Sequence, residues 1–160
     1  MLGFYRFLAT GFGSGYSPIA PGTAGAVVGL LLLYGWQSIT PSGYFTDSYF
    51  LPLVVVIVVV NMIGVFVTDQ VVKEWGPDPS RVVIDEIVGV WIAVLWVPPT
   101  LTNWIIAFIL FRFFDILKPL GIRKLESIKG GWGVMLDDVL AGVYANLVLQ
   151  VIIRVPDNFL

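Results

Sequence analysis

Apolar residues in this chain gather in long runs, and polar residues break those runs mainly at their ends. Five runs stand out. Leu51–Thr68 is the clearest, roughly eighteen residues of mostly Val, Ile and Leu, near the minimum that crosses a bilayer core. Ala24–Ile39 is shorter and ends before Pro41. Ile87–Val97 is shorter still and stops at Pro98-Pro99. Leu101–Phe114 follows, and Val134–Val155 is long enough to span but opens with an acidic pair. In lipid a segment must satisfy its own backbone hydrogen bonds, so such runs fold as helices. The pattern predicts an all-α, polytopic membrane protein with about four or five membrane-embedded helices. It predicts one domain over residues 1–160. Trp36, Trp91, Trp96, Trp104 and Trp132 stand near run ends, as an aromatic belt would. Pro41–Phe50 reads as an external loop. The first twenty residues, with scattered aromatics and one Arg, read as an interfacial amphipathic helix.

Composition sharpens this picture. Hydrophobic residues make up 58% and charged residues 12%, about half the charged share of a soluble domain. The 17 glycines suit close helix packing in lipid. A net charge of −2 argues against a nucleic-acid partner. The chain has no His and no Cys. That excludes thiolate and imidazole nucleophiles, disulfides and Cys zinc sites. Chemistry must come from carboxylates, hydroxyls, Lys, Arg and a hard metal ion. The first residues lack a cleavable signal-peptide pattern, so later runs are expected to insert the protein.

The basic residues give an orientation. With the N-terminus inside, Arg6, Lys73, Arg81, Arg112, Lys118, Arg123, Lys124 and Lys129 fall on one side and Arg154 on the other. The positive-inside rule makes the first side cytoplasmic. The same topology carries Ser17–Thr23, Asp78–Glu86, Arg112–Pro119 and Gly130–Asp138 to that face.

Those segments hold five acids: Asp85, Glu86, Asp115, Asp137 and Asp138. Carboxylates at membrane-helix ends are costly unless paired or bound to metal. Hard cations such as Mg²⁺ take one or two carboxylates plus substrate phosphate and water. Adjacent acids on a helix point about 100° apart, so one of each pair is expected to face a shared site. Asp85-Glu86 and Asp137-Asp138 are read as helix starts, where negative charge also complements the macrodipole. Each pair alone is equally compatible with a cap at a wet interface. Arg112, Asp115 and Lys118 are three apart and share one helical arc. They suit a metal-binding carboxylate flanked by phosphate-binding cations, or an ion-pair ladder at a helix end.

Three weaker features accompany these. Thr23 reads as the N-cap of the first run, with a hydroxyl able to reach phosphate. Gly25 and Gly29 form G-x-x-x-G, a spacing that packs helices within or between subunits and leaves a homo-oligomer open. Asn61 is expected to make an interhelical hydrogen bond, and Asp69 lies near enough to the polar end to touch the site.

Taken together, Ser17–Thr23, Asp78–Gly89, Phe111–Pro119 and Gly130–Gly142 resemble the phosphatidylglycerophosphatase A family. The resemblance runs in order from about Gly13 to Gly142. It implies Mg²⁺-dependent hydrolysis of phosphatidylglycerophosphate to phosphatidylglycerol and phosphate, on a membrane phospholipid substrate in a bacterial cytoplasmic membrane. In that reading the five acids form the catalytic and metal site facing the cytoplasm, and Thr23, Arg112 and Lys118 bind phosphate. Two alternatives remain at this stage. One is a small transporter or channel component with a cation site. The other is the same apparatus acting on a different lipid phosphate.

Overall fold

The shortest apolar run is the most deeply buried. The computed structural model describes residues 1–39, 50–76 and 79–154. Seven α-helices lie among these residues: α1 (Leu2–Ala9), α2 (Pro21–Ile39), α3 (Phe50–Trp75), α4 (Ile84–Ala93), α5 (Leu101–Leu117), α6 (Ile122–Leu125) and α7 (Gly131–Arg154). A 3₁₀ turn, Ser14–Tyr16, follows α1, and no strand occurs among the described residues. The five apolar runs correspond to α2, α3, α4, α5 and α7. The expected loop Pro41–Phe50 lies largely outside the described residues, as do Asp78 and Val155.

Three helices, α2, α3 and α7, are long and apolar enough to cross a membrane. Their outward residues, such as Val27 and Leu31 on α2, Val55, Val59 and Phe66 on α3, and Leu147 and Val151 on α7, are exposed. So much contiguous apolar surface suits acyl chains rather than water.

All ten residues of α4 are buried. Its length of roughly 15 Å is about half the hydrocarbon thickness, so it is a half-helix. It packs against α2, α3, α5 and α7. Glycines permit the closest approaches. On α2, Gly25 faces Val83 and Gly29 faces Val90 and Ile87. The G-x-x-x-G pair therefore packs α2 on α4 within one subunit. On the other side, Gly142 of α7 lies against the Gly89 carbonyl, and a Cβ at Gly89 would meet the Phe111 ring. These contacts draw α4, α5 and α7 together one turn beyond the first acids.

A half-helix leaves its last carbonyls without helical partners. Two amides of α7 supply donors. Asn146 Nδ2 donates to Ala93 O at 3.1 Å and Leu95 O at 2.6 Å. One turn on, Gln150 Nε2 donates to Leu95 O and Trp96 O, each at 3.0 Å.

The structure corrects several expectations. Trp91 and Trp104 are buried, not interfacial. Trp91 Nε1 donates to Gly29 O at 2.7 Å, tying α4 to α2. Asn61 is buried, but its Oδ1 has no hydrogen-bond partner among the described residues. Asp69 serves packing: its Oδ1 accepts the Gly131 N–H at 2.6 Å and fixes the start of α7 to α3. The N-terminal amphipathic helix is short. It carries exposed Phe4 and Phe7, and Tyr5 packs edge-on against Phe66 of α3 at 5.7 Å.

Candidate active site

Three helices deliver the acids. Asp85 and Glu86 occupy the first turn of α4, Asp115 lies near the end of α5, and Asp137 and Asp138 lie on α7. The α7 helix begins at Gly131, so its acidic pair is inside the helix rather than at its start. The macrodipole argument therefore holds for α4 and fails for α7. All five acids are buried.

The expectation that one of each adjacent pair faces a shared centre describes the geometry well. Glu86, Asp115 and Asp138 each present an oxygen, and these oxygens all lie within 4.8 Å of one another. The partner of each pair has another task. Asp85 Oδ1 accepts the Glu86 backbone N–H at 2.9 Å. Asp137 Oδ1 accepts the Asp138 N–H at 3.0 Å, and its Oδ2 accepts from Lys118. Asp85 still lies within electrostatic reach of Glu86, Asp137 and Asp115.

Two cations serve this centre. Arg112 bonds Glu86 and reaches Asp115 at 3.0 Å. Lys118 joins Asp137 to Glu126, the latter at 2.7 Å. The helical arc expected for Arg112, Asp115 and Lys118 breaks at its last member. Lys118 is the C-cap of α5, with φ 48° and ψ 51°. Left-handed backbone outside glycine costs about 1 kcal/mol or more. Here it turns the chain so that the ammonium reaches α7. Burial works against that charge, but the hydrogen bonds Lys118 donates to Asp137 and Glu126, with the negative charge of Asp137 and Asp115, outweigh it and hold Lys118 above its ordinary range.

The start of α2 closes one side. A Cβ at Gly22 would fall against Glu86 Oε1 and lie 3.0 Å from an Arg112 guanidinium nitrogen. Thr23 is not an N-cap: α2 begins at Pro21, and Ala20 O accepts from Ala24 N at 3.1 Å. The Thr23 hydroxyl makes no hydrogen bond among the described residues.

The donor set fits a hard cation. Three carboxylates from three helices converge, and Asp138 Oδ2 is buried without a hydrogen-bond partner among the described residues. A buried, unpartnered carboxylate oxygen is costly unless a cation completes it. Sequence reasoning missed Glu126, which has no apolar run to mark it, and Gly22, whose role is to leave room.

The fold and this centre define an all-helical membrane protein with a carboxylate-rich polar site where its embedded helices end or begin. The phosphatidylglycerophosphatase A family matches residues 7–153, and the chain belongs to it. It is thus an enzyme of the phosphatase class. A protein of Bacteroides thetaiotaomicron provisionally named a phosphatidylinositol-3-phosphatase is 48% identical over 148 residues, 90% of each chain. A phosphatidylglycerophosphatase A of Escherichia coli is 36% identical over 92% of this chain and 83% of its own. That of Haemophilus influenzae is 39% identical over 90% and 85%. No solved structure matches the chain.

Proposed function

We propose that the protein hydrolyses the terminal phosphomonoester of phosphatidylglycerophosphate, giving phosphatidylglycerol and phosphate. The reaction takes place at the cytoplasmic face of a bacterial cytoplasmic membrane. The observation that carries this reading is the convergence of Glu86, Asp115 and Asp138 oxygens beside Arg112. Family membership supplies the substrate class.

Glu86, Asp115 and Asp138 would hold Mg²⁺, with Asp85 and Asp137 supporting them from the adjacent positions. The bound ion supplies Lewis-acid charge at the phosphoryl oxygens. Arg112 and Lys118 balance the rest of the phosphate charge, and Thr23 at the start of α2 orients phosphate or water. The hydrolysis consumes one water, whose oxygen ends on phosphorus and which supplies the proton for the departing group, while the bond from phosphorus to the glycerol oxygen breaks. That oxygen leaves with a proton as the free hydroxyl of phosphatidylglycerol. A membrane centre suits this substrate because the headgroup phosphate lies at the depth where the helices carry their polar ends.

A second reading has one specific support. The 48%-identical relative carries a phosphoinositide phosphatase name. Phosphate release from a panel of lipid phosphates, with Mg²⁺ and with chelator, separates the two. Preference for phosphatidylglycerophosphate, lost with chelator and restored by Mg²⁺, supports the first reading. Preference for phosphatidylinositol 3-phosphate supports the second. Full turnover in chelator overturns the metal role in either.

A further inference from the structure

A cavity of about 410 Å³ opens beside the acidic centre, between the last turns of α3 and the first turns of α7. Val72 and Gly133 contribute apolar wall, and Glu126, Ser127 and Lys129 contribute polar groups. Asp137 lines it as well, so the cavity borders the acidic cluster at that residue. Lys118 bonds both Glu126 and Asp137. The ammonium assigned to the cleaved phosphate is thus bonded to two of the cavity's lining acids.

The volume falls in the range of small-molecule sites. Its position between two helix ends corresponds to headgroup depth. A lipid of the proposed class carries two anions: the phosphomonoester to be cleaved and, across a short polyol, the phosphodiester that joins it to the diacylglycerol. Arg112 and Lys118 serve the first. The second needs its own cation within a few bonds' reach. Lys129 lines the same cavity and has no carboxylate partner among the described residues. Ser127 Oγ donates to Lys124 O at 2.6 Å, which leaves its lone pairs free to accept from a polyol hydroxyl.

We infer that this cavity is the headgroup subsite and that Lys129 reads the substrate's phosphodiester. This rests on the phosphatase reading above. Lys129 is a specificity residue for lipids in which an anionic diester follows the cleaved monoester.

The test measures phosphatidylglycerophosphate hydrolysis in mixed micelles by wild type, Lys129→Gln, Lys129→Arg and Lys124→Gln. Lys124 is an exposed cation nearby that does not line the cavity. Inhibition by inorganic phosphate reports the monoester site separately. Lys129→Gln should raise KM roughly tenfold, the scale of one lost charge-assisted hydrogen bond, with kcat within about twofold. Its inhibition by phosphate should not change. Lys129→Arg should restore KM, and Lys124→Gln should behave as wild type. An unchanged KM in Lys129→Gln overturns the inference. So does an equal KM rise in Lys124→Gln, which reduces the effect to surface charge. A parallel loss of phosphate inhibition would move Lys129 into the monoester site and overturn it too. Failure of wild type to hydrolyse any lipid phosphomonoester would instead sink the phosphatase reading.

Discussion

The two ends of α4 meet the same difficulty with opposite chemistry. Both are buried ends of a half-helix, where orphan backbone groups and a partial charge face a water-poor interior. At the C-terminal end the compensation is neutral. Asn146 and Gln150 give amide hydrogens to Ala93, Leu95 and Trp96 carbonyls. At the N-terminal end Asp85 and Glu86 meet Asp115, Asp137 and Asp138, with Arg112 and Lys118 as cations. There carboxylates outnumber cations, and Asp138 keeps an unpartnered buried oxygen. One end is balanced by neutral amides; the other carries more carboxylates than cations.

The largest effect should come from breaking the charged end. Asp138→Asn keeps the shape but removes a carboxylate from the metal-competent trio. Turnover should fall on the order of a hundredfold or more, the scale of a lost ligand or electrostatic stabiliser. Stability in detergent should stay level or rise, because like charges are relieved. Activity per folded molecule is the measurement. A well-folded Asp138→Asn enzyme with normal turnover would break the contrast between the ends.

The neutral end should respond the other way. Asn146→Leu strands the Ala93 carbonyl and removes one of the two amide donors to the Leu95 carbonyl. A buried acceptor left unsatisfied costs about 1–3 kcal/mol. The denaturation midpoint should fall while kcat of the folded fraction stays near wild type. A loss of kcat without a loss of stability would place the C-terminal end in the catalytic machinery.

These two sites differ in how well the sequence announces them. The acids were legible because a carboxylate beside Val and Ile has no cheap reason to be there. The long helices were legible because lipid demands unbroken apolar runs. Asn146 and Gln150 were not, since an amide inside a helix carries no mark of the carbonyl it will meet on another. Trp91 misled for a related reason. Its indole is equally suited to a headgroup or to the buried Gly29 carbonyl, and only the packing of α2 on α4 decides. Asp137-Asp138 resembles a helix start in the sequence because the apolar run begins at Val134. The helix itself begins earlier, at Gly131, where Asp69 caps it. Burial of Gly29 beside α4 also gives Trp91→Phe a defined expectation. Loss of its hydrogen bond should cost about 1 kcal/mol, read as a modest drop in midpoint with unchanged kcat.

The smallest effect tests the rule behind the contrast. An unpartnered buried polar atom is taken as a sign of function at Asp138, yet α3 also carries such atoms. Thr68 is fully buried, and its Oγ1 has no hydrogen-bond partner among the described residues. Its helix supplies none of the three converging carboxylates, and a buried hydroxyl without a partner carries a desolvation cost. Thr68→Val replaces the hydroxyl with a methyl of similar volume. Removing an unsatisfied group should leave stability unchanged or raise it, by about 1 kcal/mol at most, with turnover and KM as in wild type. Paired denaturation curves and kinetics on the same detergent preparation measure both. A rise or no change keeps Asp138 distinct, because its orphan oxygen is one that catalysis cannot lose. A clear fall in stability would mean that the Thr68 hydroxyl is satisfied in solution. An orphan atom would then no longer separate the functional end of α4 from the structural one, and the metal assignment would rest on the convergence of Glu86, Asp115 and Asp138 alone.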